Sequence, residues 1–485
     1  MRTNNSKHSP SIYWHDYETF GADTHKDRPS QFAGIRTDMD LNIIDDPLVI
    51  YCKPANDYIP NPEACLITGI LPQLTLEKGL PETEFMQEIL EEFTQPDTCV
   101  AGYNSIRFDD EITRHTLFRN LYDPYEREWK NGNSRWDVID LVRVTYALRP
   151  EGIHWPTKED GSPSFRLEDL TRANGINHEA AHDALSDVMA TIAMAKLIKE
   201  KQPKLYDYVF QLRNKRKVSE KLDLENHKPV LHTSGMIPTE FACTALVVPL
   251  IPHPLNSNGV VVYDLRYDPT DLIQLSADEI RERIYTTKEE LEKSGKERIP
   301  LKTIHINKCP IVVPASLDEK IEQRLKIDKQ GAQKHLQAIR NAHGLSSKLI
   351  EVFDHNPFDK QTDPDFTLYD GPFITNEDKV IFRKIHRMDP YVLSEKSFDF
   401  QDSRFDTLLF RYRARNYPHT LRDEEKQEWE KYRLQRITDP DQKAGLNIES
   451  FYRLCDDLEK QDTTTEKEKI LLGKLRDYVR SLVET

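Results

Sequence analysis

The stretch Ser11–Phe20, SIYWHDYETF, constrains the fold more than any other part of the chain. Ile12, Tyr13 and Trp14 are β-branched or aromatic and favour a strand. Asp16 and Glu18 follow two apart, so in a strand both carboxylates point to one face. Two carboxylates converging at the end of an apolar strand repel each other unless a cation lies between them. A divalent metal with hard oxygen ligands is the natural candidate. A strand running into an Asp-containing turn would read the same way, so the remaining ligands must be sought elsewhere.

The chain has 485 residues, too many for one ordinary core, and two to four domains are expected. With 38% apolar and 31% charged residues the composition is that of a soluble globular protein. There is no run of apolar residues long enough for a transmembrane span, so no membrane association is expected. The polar start MRTNNSKHSP lacks the apolar stretch of a signal peptide. The six cysteines are scattered without a C-x-x-C pair, which argues against a structural zinc site and for a reducing, cytoplasmic compartment. A net charge of −15 disfavours a general nucleic-acid coat protein. It leaves room for an enzyme with a local basic groove.

Further strands are expected over Gln31–Thr37 and from Leu48, and a helix from Pro81 with Phe85, Ile89 and Phe93 on one face. In TCVAGYNSIRFDDEITRHTLFRN, Cys99–Ala101 reads as a central strand and a helix begins at about Asp109. Strand, loop and helix bring Asp109 or Asp110 to the carboxyl end of the sheet, near Asp16 and Glu18. Asn133–Leu148 reads as a helix with Trp136, Ile139 and Tyr146 inward, Asp137 and Asp140 being either near the site or, the preferred reading, capping or solvated. Residues 150–164 form a loop long enough for a functional rim. In NHEAAHDALSDVMATIAMAKLIKE, a long helix buries Ala184, Val188, Ile192, Ala195 and Ile198. Asp187 lies on that helix, and His182, five residues earlier, can lean in from its start.

Asp16-x-Glu18, Asp109 and His182-x4-Asp187 together resemble the DEDDh group of 3′→5′ exonucleases, which have a ribonuclease-H-like fold. With HDYETFG, GYNSIRFDDE, NSRWD, LRPEG, FRLEDLT and AHDALSDVMATIAMAKL, the resemblance extends to the bacterial exonuclease I family, specific for single-stranded DNA. It implies metal-dependent, processive 3′→5′ release of 5′-mononucleotides, in DNA repair and recombination. It implies two Mg²⁺ ions, with Mn²⁺ as a substitute. Asp16 would bridge both, Glu18 and Asp187 would complete one site, and Asp109 would help hold the other. Asp109 is preferred to Asp110 because the family's ligand directly follows the phenylalanine, here Phe108. His182 would be the general base, a role its near-neutral unperturbed pKa suits. The resemblance also implies docking of the C-terminal tail of single-stranded-DNA-binding protein; a monomer is the default expectation.

Beyond residue 200, Arg213, Lys215, Arg216 and Lys217 form the densest basic cluster, with Tyr206, Tyr208 and Phe210 just before it. This reads either as a solvated helix end or as a strip tracking a single strand, the aromatics stacking on bases. Short strands dominate Lys228–Val313, and the resemblance implies an SH3-like barrel there. His232, His253 and His305 show no metal-ligand spacing. Helices prevail from about 316, the last carrying Ile470, Leu471, Leu475, Tyr478, Val479 and Leu482 as its packing stripe. FRYRARNYP sets Arg411, Arg413 and Arg415 among aromatics, either as a DNA or protein contact or as arginines packed on rings. Candidate nucleic-acid contacts are Arg149, Arg166, Arg213, Lys215, Arg216 and Arg413. No P-loop is present, so ATP use is not expected.

The resulting expectation is an α/β architecture in three segments. These are a ribonuclease-H-like exonuclease domain (1–201), an SH3-like β-rich domain (202–355) and a helical C-terminal domain (356–485). An exoribonuclease with the same core, or a non-catalytic single-strand-binding accessory protein, are the alternatives.

Overall fold

The computed structural model describes residues 9–178, 183–355, 360–442 and 444–484. The first sheet has the strand order β3-β2-β1-β4-β5. Its strands are β1 (Ser11–Thr19), β2 (Pro29–Thr37), β3 (Leu48–Tyr51), β4 (Thr98–Gly102) and β5 (Ser134–Asp137). β1 pairs antiparallel with β2, Asp16 opposite Ala33 and Glu18 opposite Gln31, and parallel with β4. It is therefore central and buried along its length, which is why its apolar half runs without polar interruption. The pairing slips between Glu18 and Thr19, an irregularity of the kind that re-aims side chains beside functional sites.

β4 ends at Gly102, where a Cβ would come within 2.8 Å of the His15 carbonyl oxygen, so only glycine allows this close approach. Asn104 then takes a left-handed conformation, φ 63°, and the helix Asp109–Arg119 follows. A core of Tyr13, Tyr17, Phe32, Phe85, Ile89, Phe93, Val100 and Ile112 joins this helix and the helix Glu82–Phe93 to the sheet. A second core joins Phe20, Tyr58 and Cys65 to Ile437, Phe451, Leu475 and Val479, so C-terminal helices share a core with the N-terminal segment.

Contacts divide the described residues into two compact units. One lies within Met1–Ser134, His178–Met189 and Lys360–Thr485, the other within Arg135–Asn177 and Ala190–Asp359. The second unit holds an antiparallel sheet with the order β10-β6-β7-β8-β9. Its strands are β6 (Val230–Thr233), β7 (Thr244–Pro252), β8 (Gly259–Asp264), β9 (Leu301–His305) and β10 (Ile311–Pro314). Val230, Val247, Val262, Ile304 and Val312 form its core. No helix among the described residues is long and apolar enough to cross a membrane.

Local readings are corrected in two places. The expected helix over Asn133–Leu148 starts only at Val138, because Ser134–Asp137 forms β5 and Asp137 caps the helix, accepting from the Ile139 N–H at 3.0 Å. In the last helix, Glu466–Glu484, Ile470 is 62% exposed and Leu472 takes the core position. Leu472, Leu475, Val479 and Leu482 keep the three- and four-residue spacing of a single inward stripe, which Ile470 does not join.

Candidate metal-dependent active site

Strand geometry sets the first two carboxylates: Asp16 and Glu18 leave β1 on the same face, with Glu18 buried and Asp16 half-buried. The third arrives on the helix Ala184–Lys201, whose start Asp183 caps by accepting from the Ser186 N–H at 3.1 Å. Asp187 lies in its first turn. Potential ligand oxygens of Asp16, Glu18 and Asp187 all lie within 4.8 Å of one another.

Asp109 opens the helix Asp109–Arg119 and is buried, and its Oδ1 accepts the Tyr17 N–H at 3.0 Å. It is thus held against the segment of β1 between the two strand carboxylates. Asp110 turns away and forms a buried ion pair with Arg127 Nη2 at 2.5 Å. Arg127 also lies over the Phe93 ring, 5.0 Å from its centroid. Consecutive helical residues point about 100° apart, so one of the two aspartates can face β1 and its neighbour cannot.

The electrostatics show what such crowding costs. Burial, then the charges of Asp109, Glu18 and Asp187, raise the Asp16 carboxyl well above the ordinary range. Burial, then Asp187, Asp109 and Asp183, push Glu18 up to about 8. The Asp16 and Glu18 carboxyls are thus harder to ionise than free ones, and a cation among them would offset that. An all-oxygen donor set suits a hard divalent ion, and the chemistry of these residues fits the metal inferred from β1.

His178 was not singled out from sequence, and its Nε2 contacts Asp187 Oδ1. Its side chain is 3% exposed. It pairs with the helix carboxylate, a contact of the kind that outer partners make with metal ligands. The signal available was a histidine in NHEAAHDALSD, nine residues before the aspartate. His182 lies outside the described residues.

The candidate nucleic-acid contacts differ in their surroundings. Arg149, Arg166, Lys215 and Arg216 are exposed. Arg213 is half-buried, donates to the Phe210 carbonyl at 2.6 Å and lies over that ring. Tyr206 and Phe210 are buried and pack edge-on against Trp136, at 5.4 and 5.0 Å between centroids, so neither ring has a free face for a base. Arg413 is buried and holds Glu425 through two contacts of 2.8 and 3.1 Å. Arg411 pairs with Asp363 and Asp365, and Arg415 with Asp57 and Asp365. The arginines of FRYRARNYP are internal cross-links, because each guanidinium is paired with a carboxylate of its own unit.

Comparison with known proteins agrees along the whole chain. Family models for an exonuclease match residues 13–195, for an exonuclease I SH3-like domain residues 213–355, and for an exonuclease I C-terminal domain residues 362–482. Exodeoxyribonuclease I of Haemophilus influenzae is 48% identical over 449 residues, covering 92% of this chain and 94% of that protein. The structure of a moderately thermophilic exonuclease I from Methylocaldum szegediense superposes with a TM-score of 0.93 at 49% identity, covering 98% of this chain and 100% of that one. Escherichia coli exonuclease I in complex with a dA16 oligonucleotide does so with a TM-score of 0.93 at 43% identity and the same coverage.

Proposed function

This chain belongs to the exonuclease I family, and from that premise we propose that it degrades single-stranded DNA from the 3′ end at the Asp16–Glu18–Asp109–Asp187 cluster, releasing 5′-mononucleotides. The observation that carries this reading is the convergence of Asp16, Glu18 and Asp187 oxygens within 4.8 Å, with Asp109 tied to the strand between the first two.

A pair of Mg²⁺ ions, replaceable by Mn²⁺, would supply charge neutralisation for the transferring phosphoryl group and for its leaving oxygen. Asp16, Glu18 and Asp187 would hold one ion, and Asp16 with Asp109 the other. His178 orients Asp187. His182 accepts the proton of the attacking water, since a neutral imidazole is a competent base near neutral pH. Arg149, Arg166, Lys215 and Arg216 offer cationic contacts to the strand, and Arg413 drops out of that set because its charge is spent on Glu425. Processive digestion by a cytoplasmic monomer, a role in DNA repair and recombination, and docking of the tail of single-stranded-DNA-binding protein complete the proposal. So does the division into segments 1–201, 202–355 and 356–485.

The test is digestion of end-labelled single-stranded DNA, blunt duplex and RNA, each with Mg²⁺ and with EDTA. The wild type should release mononucleotides from 3′ ends of single-stranded DNA with Mg²⁺ alone. Asp16→Ala should lose both metal binding and activity, and His182→Asn should keep metal binding while losing most of the rate. Faster loss of RNA than of DNA would overturn the substrate assignment and leave the metal chemistry standing.

A further inference from the structure

A second group of metal-competent side chains lies in the same compact unit, apart from the acidic cluster. His25, in the loop between β1 and β2, meets Glu111 and His115 of the helix Asp109–Arg119, with potential ligand atoms all within 4.8 Å of one another. Glu111 and His115 are four residues apart and share one helix face. Asp109 and Glu111, two apart, point to different sides of the helix, so Asp109 serves β1 while Glu111 serves this second group.

An independent observation points to a ligand. His115 is fully buried, and neither ring nitrogen has a hydrogen-bond partner among the described residues. A buried polar atom left unpaired is costly, and His115 carries two. The neighbouring rings do not relieve this: His25 stacks on His115 at 4.5 Å between centroids, and Tyr369 meets it edge-on at 5.5 Å. Burial, then the His25 charge, lowers the His115 pKa to about 3, so its lone pair is available at any physiological pH. Glu111 is fixed as a ligand would be, with Oε1 accepting from Arg114 Nη1 at 3.0 Å and Oε2 from the Tyr369 hydroxyl.

We propose that His25, Glu111 and His115 form a binding site for a zinc-type divalent ion, separate from the catalytic carboxylates. Two imidazoles and one carboxylate are a donor set that zinc takes up with a fourth position open, and His25 gives the group an exposed member. Magnesium is a poor match for imidazole nitrogen, which separates this site chemically from the all-oxygen cluster. A bound ion would take up one of the two orphaned nitrogens of His115 and tie the loop after β1 to the helix that presents Asp109.

The experiment uses the full chain stripped of metal, titrated with Zn²⁺ and, as a spectroscopic probe, Co²⁺, with Mg²⁺ in large excess to load the carboxylates. Wild type and Asp16→Ala should both develop the intense visible absorption of four-coordinate cobalt. His25→Ala should lose that band and bind the corresponding zinc at least about 100-fold more weakly. His25 is exposed, so this variant should fold normally, and its melting curve without metal checks that; Glu111→Gln is the second variant. Equal zinc stoichiometry and an unchanged cobalt spectrum in His25→Ala would overturn the proposal, as would loss of the band in Asp16→Ala alone.

Discussion

The Tyr17 backbone N–H donates to Asp109 Oδ1 at 3.0 Å, across a separation of 92 residues. That bond aligns the start of the helix Asp109–Arg119 on β1 midway between Asp16 and Glu18. It uses one carboxylate oxygen of Asp109.

Asp109→Asn and Asp110→Asn should therefore fail differently. Asp109→Asn keeps a hydrogen-bond acceptor for Tyr17 and should leave the melting temperature nearly unchanged, while nuclease activity falls at least about 100-fold. Asp110→Asn strips the buried Arg127 of its close carboxylate, leaving Glu128 at 4.0 Å, and should cost about 3–5 kcal/mol of stability. The folded fraction should stay active. Denaturant unfolding beside specific activity per folded molecule separates the two, and equal activity losses would contradict the assignment.

Asp187 depends on His178 for its orientation. His178→Ala should weaken metal binding by about 10–100-fold. Saturating Mg²⁺ should restore much of the rate. The measurement is the Mg²⁺ concentration at half-maximal activity, and an unshifted midpoint would show that Asp187 needs no such support.

Acid should weaken the protein at the Asp57–Arg415–Asp365–Arg436 network. Burial alone would raise the Asp57 carboxyl, but Arg415, Arg436 and Arg28 outweigh it and hold Asp57 at about 2. Asp365 is likewise held well below the usual range, by Arg415 and Arg411 against the cost of burial. In the unfolded chain these carboxyls titrate near the ordinary aspartate value of about 3.9. Between the two values the unfolded state binds more protons, so their stabilisation is complete above about pH 4 and is lost as pH falls toward 2. Asp57→Asn should lower stability at neutral pH by about 3–5 kcal/mol and flatten the decline of melting temperature in acid. An unchanged pH profile would exclude this network as its origin.

Much of the candidate site was legible from local periodicity. Asp16 and Glu18 share a face because strands alternate, and Asp187 lies in the first turn of a helix whose apolar spacing is unmistakable. The order of exonuclease, SH3-like and C-terminal parts was legible too, through motifs spread over the chain. The two-residue alternation of β5 was not, because SRWD runs straight into a longer helical pattern and one turn of strand carries little signal.

What the sequence determined by itself is the inventory: which carboxylates, on which elements, and hence the class of chemistry they can support. Tertiary structure decided between neighbours of identical chemistry. Asp109 and Asp110 differ in role because one faces Tyr17 and the other Arg127. Arg413 looks like a nucleic-acid contact until Glu425 is found beside it, and His178 and His115 acquire meaning only from Asp187, His25 and Glu111. Periodicity tells which side of an element is buried, whereas a charged group's role depends on the partner that packing brings from far along the chain.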